Sequence, residues 1–482
     1  TAATAGAADG GVMAAAAGGG AGAAAPPGPH DAGGRQLPLS DAEQMNLYEA
    51  CGVLLGAGLV APQRASELLG QILQLPLQQL QSLCAQVGAL AQQQQQGAGA
   101  GAGAAGGDAG LEQMLAAGAA AAAQHIAVVA VISKGFSNLA TPGGNAELFA
   151  AQQPVREAFS SALGLSLAAL HGFGKFADVR TSALMLMHRM TETLSDEGVV
   201  GVLGPAVPAL LHSAEGKEVV EVARLVNQLV LKFKGRIAAA VSPMVAPVSA
   251  TIFSHVGGLD AAIAAETSAA ALGAKAGGPQ SQQERERYAL LRGYYGLLHS
   301  LVHNELLGVM HDEHNGPYLQ QALRVLIDGC TEGPDLQVQQ QCVLILHRLV
   351  EQWCGAAAAT PLPGFDGFVL QQVLPVCFSA LTAPHFSLSN AAAVKLLDAL
   401  VALQQVMLAR LGAQLVPYLR DTHLPSLGCE PAFCAQYVAL LAEGEPRQLR
   451  DFMVQNLGGS GRASGASASG SSPPLAARMM SQ

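Results

Sequence analysis

Apolar residues recur every three to four positions along most of this chain. Around Val226, one helical face carries the apolar side chains Val219, Val222, Val226, Leu229 and Phe233. The polar residues of the same segment lie largely away from that face: Glu218, Glu221, Arg224, Gln228 and Lys232. A repeat of about 3.6 residues indicates an amphipathic helix, whereas strand-like alternation is scarce here. The pattern therefore predicts an all-α protein.

Prolines interrupt the helical segments along the chain. They stand at Pro154, Pro205, Pro208, Pro243, Pro247, Pro317, Pro334, Pro375, Pro384, Pro417 and Pro425. Because proline lacks a backbone N–H, we expect helices of about one to two dozen residues between these positions. Two such helices make a unit of about 40 residues, the HEAT period, and each unit leaves an apolar face that its neighbours must cover. We therefore predict a HEAT-repeat-like α-solenoid, a superhelical stack of antiparallel helix pairs with a long concave surface.

Four segments of low complexity divide this stack. Residues 1–36 are mostly Ala, Gly and Pro, and residues 92–110 are a Gln run followed by Gly-Ala repeats. Residues 268–280 are mostly Ala and Gly, and residues 458–482 are rich in Gly, Ser and Ala. Such compositions are typical of flexible linkers and tails, so we predict disorder there. The HEAT-like helices are then expected over residues 37–91, 111–267 and 281–457.

Composition and charge narrow the class of protein. Half of the 482 residues are hydrophobic and 12% are charged, with a formal net charge of −10. This charge argues against a protein that coats nucleic acid non-specifically, while a local basic surface remains compatible with it. The eight cysteines form no CxxC pair, which indicates a reducing intracellular compartment. The chain begins at Thr1 without an evident signal peptide, so we expect a fragment or a processed chain.

One stretch, Met114 to Ser133, is nearly uncharged and about long enough to span a bilayer. It is dominated by Ala, which inserts weakly into membranes, and it contains Gln124 and His125. We expect an Ala-rich helix of a soluble protein there, and not a membrane span.

Several short segments resemble segments of one known family, and they occur in the same order as in that family. They are Leu47–Gly56, Val131–Phe136, Lys175–Val179 with His188–Met190, Leu225–Leu229 with Lys232–Lys234, Pro363–Val369 and Tyr418–Pro425. Together they resemble the exportin-T family, particularly its plant members, from about Leu37 to Leu457. The order of the segments, more than any one of them, carries this resemblance, which covers the carboxy-terminal part of the family's chain.

The resemblance implies an importin-β-like karyopherin, a HEAT solenoid that binds mature tRNA together with Ran in its GTP form. Such a receptor contacts Phe-Gly nucleoporins, shuttles between nucleus and cytoplasm, and releases tRNA after GTP hydrolysis. The resemblance implies neither a cofactor nor catalysis by this chain, and no membrane partner. The family's amino-terminal arch, which makes its main Ran contacts, has no counterpart among these residues.

Basic residues in two successive units are the candidate tRNA contacts. They are Lys175, Arg180 and Arg189 in the first group, and Lys217, Arg224, Lys232, Lys234 and Arg236 in the second. Lys232 and Arg236 share a helix face if the helix continues that far. Stacked repeats would bring both groups to the concave side, where they would follow phosphates and recognise A-form shape. The alternative is a solvated face with intrahelical pairs such as Glu221 with Arg224.

A histidine-rich stretch raises a different possibility, a metal-dependent enzyme. It contains His299, His303, Glu305, His311, Asp312, Glu313 and His314. His299 and His303 have the spacing of two ligands on one helix face, but Ser300 follows His299 where the HExxH zinc motif needs Glu. We therefore expect structural or exposed roles for these residues and no metal site.

Two further interpretations concern protein partners. Four aromatic residues, Trp353, Phe365, Phe368 and Phe378, lie close together in the sequence. We expect them in the core between successive helices, with a groove for a Phe-Gly or helical partner as the alternative. The function of the whole chain also has an alternative to tRNA export. A HEAT scaffold, or a karyopherin that binds a protein cargo, would have the same kind of solenoid.

Overall fold

The computed structural model describes residues 39–97, 108–137, 139, 145–194, 198–271, 281–333, 335–383 and 385–457. The disorder predicted for residues 1–36 and 458–482 lies outside these residues, as does most of the two internal linkers. At the described ends of these linkers the chain is helical, since one helix runs to Gly97, another begins at Asp108 and a third extends to Ala271.

All regular elements in the described ranges are helices, which confirms the all-α prediction. They are α1 (Asp41–Gly56), α2 (Pro62–Gly97), α3 (Asp108–Ile132), α4 (Ala146–Ala151), α5 (Gln153–Phe173), α6 (Ala177–Leu194), α7 (Gly198–Leu203), α8 (Ala206–Leu211), α9 (Gly216–Phe233), α10 (Ala238–Ala271), α11 (Gln282–His303), α12 (Gly316–Thr331), α13 (Leu336–Trp353), α14 (Phe365–Phe368), α15 (Leu374–Ser379), α16 (Ala391–Tyr418), α17 (Leu424–Ser426), α18 (Pro431–Glu443) and α19 (Pro446–Leu457). Short 3-10 turns occupy Ser133–Phe136, Lys234–Ile237, Leu307–His311 and Ala380–Thr382, and π turns occupy Val369–Val373 and Leu419–His423.

Backbone contacts divide the chain after Leu47. The described residues before this point begin α1, where Ser40 and Glu43 form a capping box: Glu43 accepts from the Ser40 backbone N–H at 2.8 Å and donates its own N–H to Ser40 Oγ at 3.4 Å. The remaining helices belong to the second unit, which begins at Tyr48.

Six successive helix pairs of the second unit form two layers. The pairs are α2 with α3, α5 with α6, α8 with α9, α10 with α11, α12 with α13, and α15 with α16. The first helices of the pairs pack side by side in one layer, and the second helices do the same in the other layer. Helices α18 and α19 pack against α16 after the last pair. Because each pair contacts mainly the pairs next to it, this is the predicted α-solenoid.

Helix α9 illustrates why the apolar pattern predicts the core. Its five apolar positions around Val226 are all buried, and the helix packs on α6, α8, α10 and α11. A capping box between Glu215 and Glu218 begins the helix. The prediction is wrong for Glu218, which belongs to the predicted polar face of the helix but is buried, with 5% exposure.

Several prolines lie inside helices and do not break them. Helix α10 continues through Pro243 and Pro247, and α16 contains Pro417. Burial of Val241, Met244 and neighbouring side chains offsets the missing backbone hydrogen bonds of α10.

Two other prolines, Pro375 and Pro425, each follow a π turn by two residues. A π turn shifts the hydrogen-bond ladder by one residue, and it accommodates the missing donor while the helix continues.

Four helical stretches of the described chain are long and apolar enough to cross a membrane: Gly110–Phe136, Gly216–Ser268, Phe365–Thr382 and Ala391–Ser426. In each stretch, half of the most apolar 18-residue segment is buried inside the protein. The helix predicted over Met114–Ser133 lies in α3 and the turn that follows it. Its residues Ala122, Ile126 and Val129 are buried, and α3 packs on α2, α5 and α6.

The aromatic cluster belongs to the core, as predicted. Trp353, Phe365 and Phe378 are each no more than 2% exposed, while Phe368 is half-buried. The rings of Trp353 and Phe365 meet edge to face with centroids 5.4 Å apart. Their contact anchors the end of α13 to the start of α14.

Candidate nucleic-acid interface

The structure divides the predicted basic residues into buried and exposed ones, and Arg180 is the clearest correction. Its side chain is 3% exposed and forms an ion pair with Glu218, with Nη2 and Oε2 2.8 Å apart. A second guanidinium nitrogen, Nη1, donates to the carbonyl oxygen of Gly174 at 2.8 Å. The sequence could not reveal this, because Glu218 lies 38 residues away along the chain. Arg180 is therefore part of the core and is not exposed for contact with tRNA.

Arg189 and Lys232 also make contacts that tie helices together. Arg189 Nη2 donates to Ser137 Oγ at 2.7 Å, and burial lowers the pKa of its guanidinium. Lys232 is 24% exposed, and its Nζ donates to the carbonyl oxygen of Thr191 at 2.7 Å and pairs with Glu192 at 3.3 Å. Lys232 thus joins α9 to the end of α6, with only part of its charge facing solvent.

The other predicted residues are exposed, but they do not share one helix face. Helix α9 ends at Phe233, and Lys234 caps it with a φ of +54°, so the chain turns before Arg236. The expected face shared by Lys232 and Arg236 is therefore wrong. Lys175 lies in the turn between α5 and α6. Lys217 and Arg224 lie on the solvent side of α9, with side chains 80% and 60% exposed.

Helix α11 carries two exposed cations outside the predicted set of contacts, Arg285 and Arg292. They are seven residues apart and lie on one face about 10 Å apart along the helix axis. Neither side chain forms an ion pair within the described residues, whereas Lys217 pairs with Glu215 and Arg224 pairs with Glu221. Their signal in the sequence was the seven-residue spacing, which the neighbouring Glu284 and Glu286 concealed by balancing the local charge.

The same face of α11 continues to the histidines of the proposed metal cluster. The rings of His299 and His303 stack with centroids 4.1 Å apart. Burial and the nearby His303 lower the pKa of His299 to about 4. Farther along the chain, His311 packs edge-on against Trp353 with centroids 5.7 Å apart.

No group of three or more His, Cys, Asp or Glu side chains in the described ranges is placed to hold a metal ion. Asp312, in the same stretch, accepts hydrogen bonds from Ser242 and from the backbone of Asn315. The histidine-rich stretch is thus divided among separate local contacts.

Helices α9, α11 and α13 lie side by side in the second layer. Each is covered on one side by the first layer and on two sides by its neighbours, which leaves one side facing solvent. The cations on this side are Lys217, Arg224, Arg285, Arg292 and Arg348, of which Lys217, Arg224 and Arg348 pair with neighbouring carboxylates. We call these five residues the basic face. A groove of about 390 Å³ beside it, between α6 and α9, is lined by Glu192, Arg224, Asn227, Gln228, Leu231 and Lys232.

The family model for Exportin-T matches residues 116–460, which is well over half of the chain. The chain belongs to the exportin-T family. The match begins within α3 and includes all the later helices, so the basic face lies inside it.

Three relatives named Exportin-T are similar to this member at about a quarter of aligned positions. The Arabidopsis thaliana protein is 25% identical over 427 residues, covering 86% of this chain and 38% of the relative. The Homo sapiens protein is 26% identical over 421 residues, covering 87% of this chain and 39% of the relative. The Emericella nidulans protein is 25% identical over 351 residues, covering 68% and 31%. This exportin-T chain therefore spans less than two-fifths of the relatives' length.

Proposed function

We propose that this chain is the RNA-contacting part of a nuclear export receptor that carries mature tRNA from the nucleus to the cytoplasm. Family membership supports the receptor role, and the basic face supports the contact with RNA. Arg285 and Arg292 are the observation that carries the proposal, since both are exposed and neither forms an ion pair in the part of the chain described.

The chemistry of the basic face suits a folded RNA. Cations on three parallel helices would follow a phosphate backbone, and arginine binds phosphate oxygens with two donors at once. Contacts of this kind recognise the shape of an A-form stem and carry little base specificity. One receptor would then accept many tRNAs. The acidic remainder of the molecule would restrict RNA to this surface.

The proposed mechanism is linkage between two ligands. Ran in its GTP form and tRNA would stabilise the same curvature of the solenoid, so each would raise the affinity for the other. Neighbouring repeats bend at low cost, because each pair contacts mainly the next. Phe-Gly nucleoporins would carry the complex through the pore. Hydrolysis by Ran in the cytoplasm would then release tRNA, so this chain acts as a transport receptor and performs no catalysis.

The test is fluorescence anisotropy with labelled mature tRNA and the full-length protein. Binding is measured at one near-physiological salt concentration with Ran loaded with a non-hydrolysable GTP analogue, with Ran-GDP, and without Ran. We expect Ran with the analogue to tighten tRNA binding at least about tenfold, a coupling of roughly 1.4 kcal/mol. A single-stranded RNA of equal length serves as the control and should bind more weakly. Equal tRNA affinity in all three conditions would contradict the proposal.

A protein cargo is the second candidate, favoured by one observation. Met185, Leu231 and Leu344 are exposed on α6, α9 and α13, with Leu231 53% exposed. Apolar side chains among cations are more typical of protein interfaces than of RNA interfaces. Binding of labelled Ran-GTP to the protein, together with no binding of tRNA, would favour this candidate.

A further inference from the structure

A cavity of about 500 Å³ lies among α10, α11 and α12, and none of its lining residues belongs to the basic face. Most of its lining residues come from α10, α11 and α12, and the start of the following helix α13 adds Val338. Three of its wall residues, Phe253, Val256 and Leu291, are apolar and buried. The cavity therefore lies between the two layers, with apolar residues in its wall and with none of the five residues of the basic face.

The charged side chains around this cavity are unevenly balanced. Three carboxylates line it, those of Asp260, Asp328 and Glu332, against the two guanidinium groups of Arg287 and Arg324. Arg287 pairs with Asp260, and its Nη2 lies 3.8 Å from Glu332 Oε2. Asp328 forms no ion pair in the described part of the chain. The carboxylates that line the cavity thus outnumber its guanidinium groups by one.

Burial makes this excess charge costly. It raises the pKa of Asp328 despite the nearby Arg287 and Arg324. Burial and the charge of Asp328 together raise the pKa of Glu332. The cost falls mainly on the half-buried Asp328, because the Glu332 side chain is 61% exposed and water compensates much of its charge. A cation that entered the cavity would remove this cost, whereas a phosphate or a second carboxylate would increase it.

Two tyrosines complete the wall and favour the same kind of ligand. Tyr288 donates its hydroxyl hydrogen to Asp335 Oδ2 at 2.8 Å, and Tyr295 donates to the carbonyl oxygen of Val325 at 3.1 Å. These bonds engage the hydroxyl groups and hold the rings in place. Aromatic rings attract cations, most effectively a planar guanidinium that also packs against them.

We propose that this cavity binds an arginine side chain presented by a protein partner. Its guanidinium group would lie between Asp328 and Glu332, and its aliphatic stem would pack against Val256 and Leu291. Arginine fits better than lysine, because a planar fork can bond two carboxylates at once while the stem buries apolar surface. The cavity shares no residue with the basic face, so the arginine site and the tRNA contact are tested by separate experiments.

The test uses the full-length protein and a labelled arginine–glycine repeat peptide, with anisotropy as the readout. Peptides of equal length with lysine or with citrulline, the uncharged analogue of arginine, are the comparators. We expect binding of the arginine peptide, weaker binding of the lysine peptide, and about tenfold weaker or no binding of the citrulline peptide. Absence of arginine binding, or equal binding of all three peptides, would overturn the proposal.

Two glycines on α10 provide a matched pair of blocking variants. Gly257 lines the cavity and Gly258 does not, and a Cβ atom added at either position would have no neighbouring atom within 4 Å. Gly257→Phe should fill the cavity and abolish binding without changing any charge, while Gly258→Phe should bind normally. Circular dichroism confirms that both variants fold. Normal binding by a folded Gly257→Phe variant would place the peptide elsewhere.

A second pair of variants tests the carboxylates. Asp328→Asn combined with Glu332→Gln should weaken arginine binding about tenfold, since it removes both proposed charged partners. Glu112→Gln combined with Glu443→Gln removes the same charge from exposed positions on α3 and α18 and should leave binding unchanged. Equal weakening in both double variants would indicate attraction to the acidic molecule as a whole.

Discussion

Arg180 and Glu218 join α6 to the start of α9 through two parallel hydrogen bonds in the protein interior. Arg180 Nε donates to Oε1 at 3.1 Å and Nη2 donates to Oε2 at 2.8 Å, and the side chains are 3% and 5% exposed. Glu218 Oε2 also accepts from the backbone N–H of Glu215 at 2.8 Å. The carboxylate thus caps α9 and neutralises a buried cation at the same time.

Removing one partner of this pair should destabilise the solenoid strongly. Glu218→Ala leaves the Arg180 guanidinium buried without its anion, and we expect a loss of about 3–5 kcal/mol in the free energy of unfolding. Arg180→Met combined with Glu218→Leu should lose much less, because no charge is left unpaired. Urea denaturation followed by circular dichroism measures both. Similar losses in the single and double variants would show that packing, and not charge, dominates at this site.

The Arg180–Glu218 pair also marks how far the sequence predicts the structure. Apolar periodicity predicted the helices and the buried face of α9, because burial of apolar surface dominates local packing. It could not predict which charged residue finds a partner in another repeat. The prolines show a related limit: Pro243 and Pro247 look like breaks in isolation, but tertiary packing holds α10 together through both.

The contact surface was only partly predictable for the same reason. Lys217 and Arg224 belong to a basic stretch that the sequence shows directly. Arg285 and Arg292 lie beside acidic residues that balance their charge, so the sequence does not show them as a basic group. Only the packing of α11 between α9 and α13 separates these two arginines from the adjacent acidic residues, since it places the arginines on the solvent side. Glu286 lies nearer the neighbouring helix, where its carboxylate occupies the space beside Gly216.

A close approach between glycines gives a second prediction. A Cβ atom on Gly56 would lie 1.8 Å from the carbonyl oxygen of Gly135, and one on Gly52 would lie 2.1 Å from that of Ile132. Because these obstacles are backbone atoms, Gly52→Ala and Gly56→Ala should each force α1 away from the end of α3. We expect faster amide hydrogen exchange in residues 48–56 of both variants.

Gly70 is the matched control for these variants, because a Cβ atom there meets open space. It lies inside α2, so Gly70→Ala should be neutral or stabilise the helix by about 0.5–1 kcal/mol. Unchanged exchange in Gly52→Ala and Gly56→Ala would contradict the tight contact described here.

His299 predicts a loss of stability in acid. Its pKa is lowered from 6.5 to about 4 in the folded protein, chiefly by burial and also by His303. Between these pH values the unfolded chain binds a proton that the folded chain does not, so the stability supplied by neutral His299 falls as pH falls. His299→Gln should therefore show a smaller drop in Tm between pH 7.5 and pH 5 than the wild-type protein.

The exposed His212, in the turn after α8, is the control for this measurement. His212→Gln should keep the wild-type difference in Tm between the two pH values. If His299→Gln keeps it as well, acid destabilisation arises from other groups and the buried environment assigned to His299 is wrong.

The basic face gives the last prediction, which separates specific contact with phosphates from general attraction. In the full-length protein, Arg285→Ala combined with Arg292→Ala removes two exposed cations that form no ion pair within the described residues. Each phosphate contact contributes about 0.7 to 0.9 to the slope of log affinity against log salt concentration, so the double variant should have a slope shallower by about 1.4 to 1.8. Its tRNA affinity should fall about tenfold or more. Anisotropy titrations at several salt concentrations, in the presence of Ran with the GTP analogue, measure both quantities.

The matched control removes two exposed arginines from other helices, Arg64 on α2 and Arg447 on α19. Arg64→Ala combined with Arg447→Ala changes the net charge equally, but neither residue belongs to the second layer, so tRNA affinity and salt slope should both stay close to wild type. A loss of affinity that is the same in both double variants would mean that tRNA responds only to net charge. A loss confined to Arg285 and Arg292 with an unchanged slope would mean that the two arginines support the surface without binding phosphates themselves.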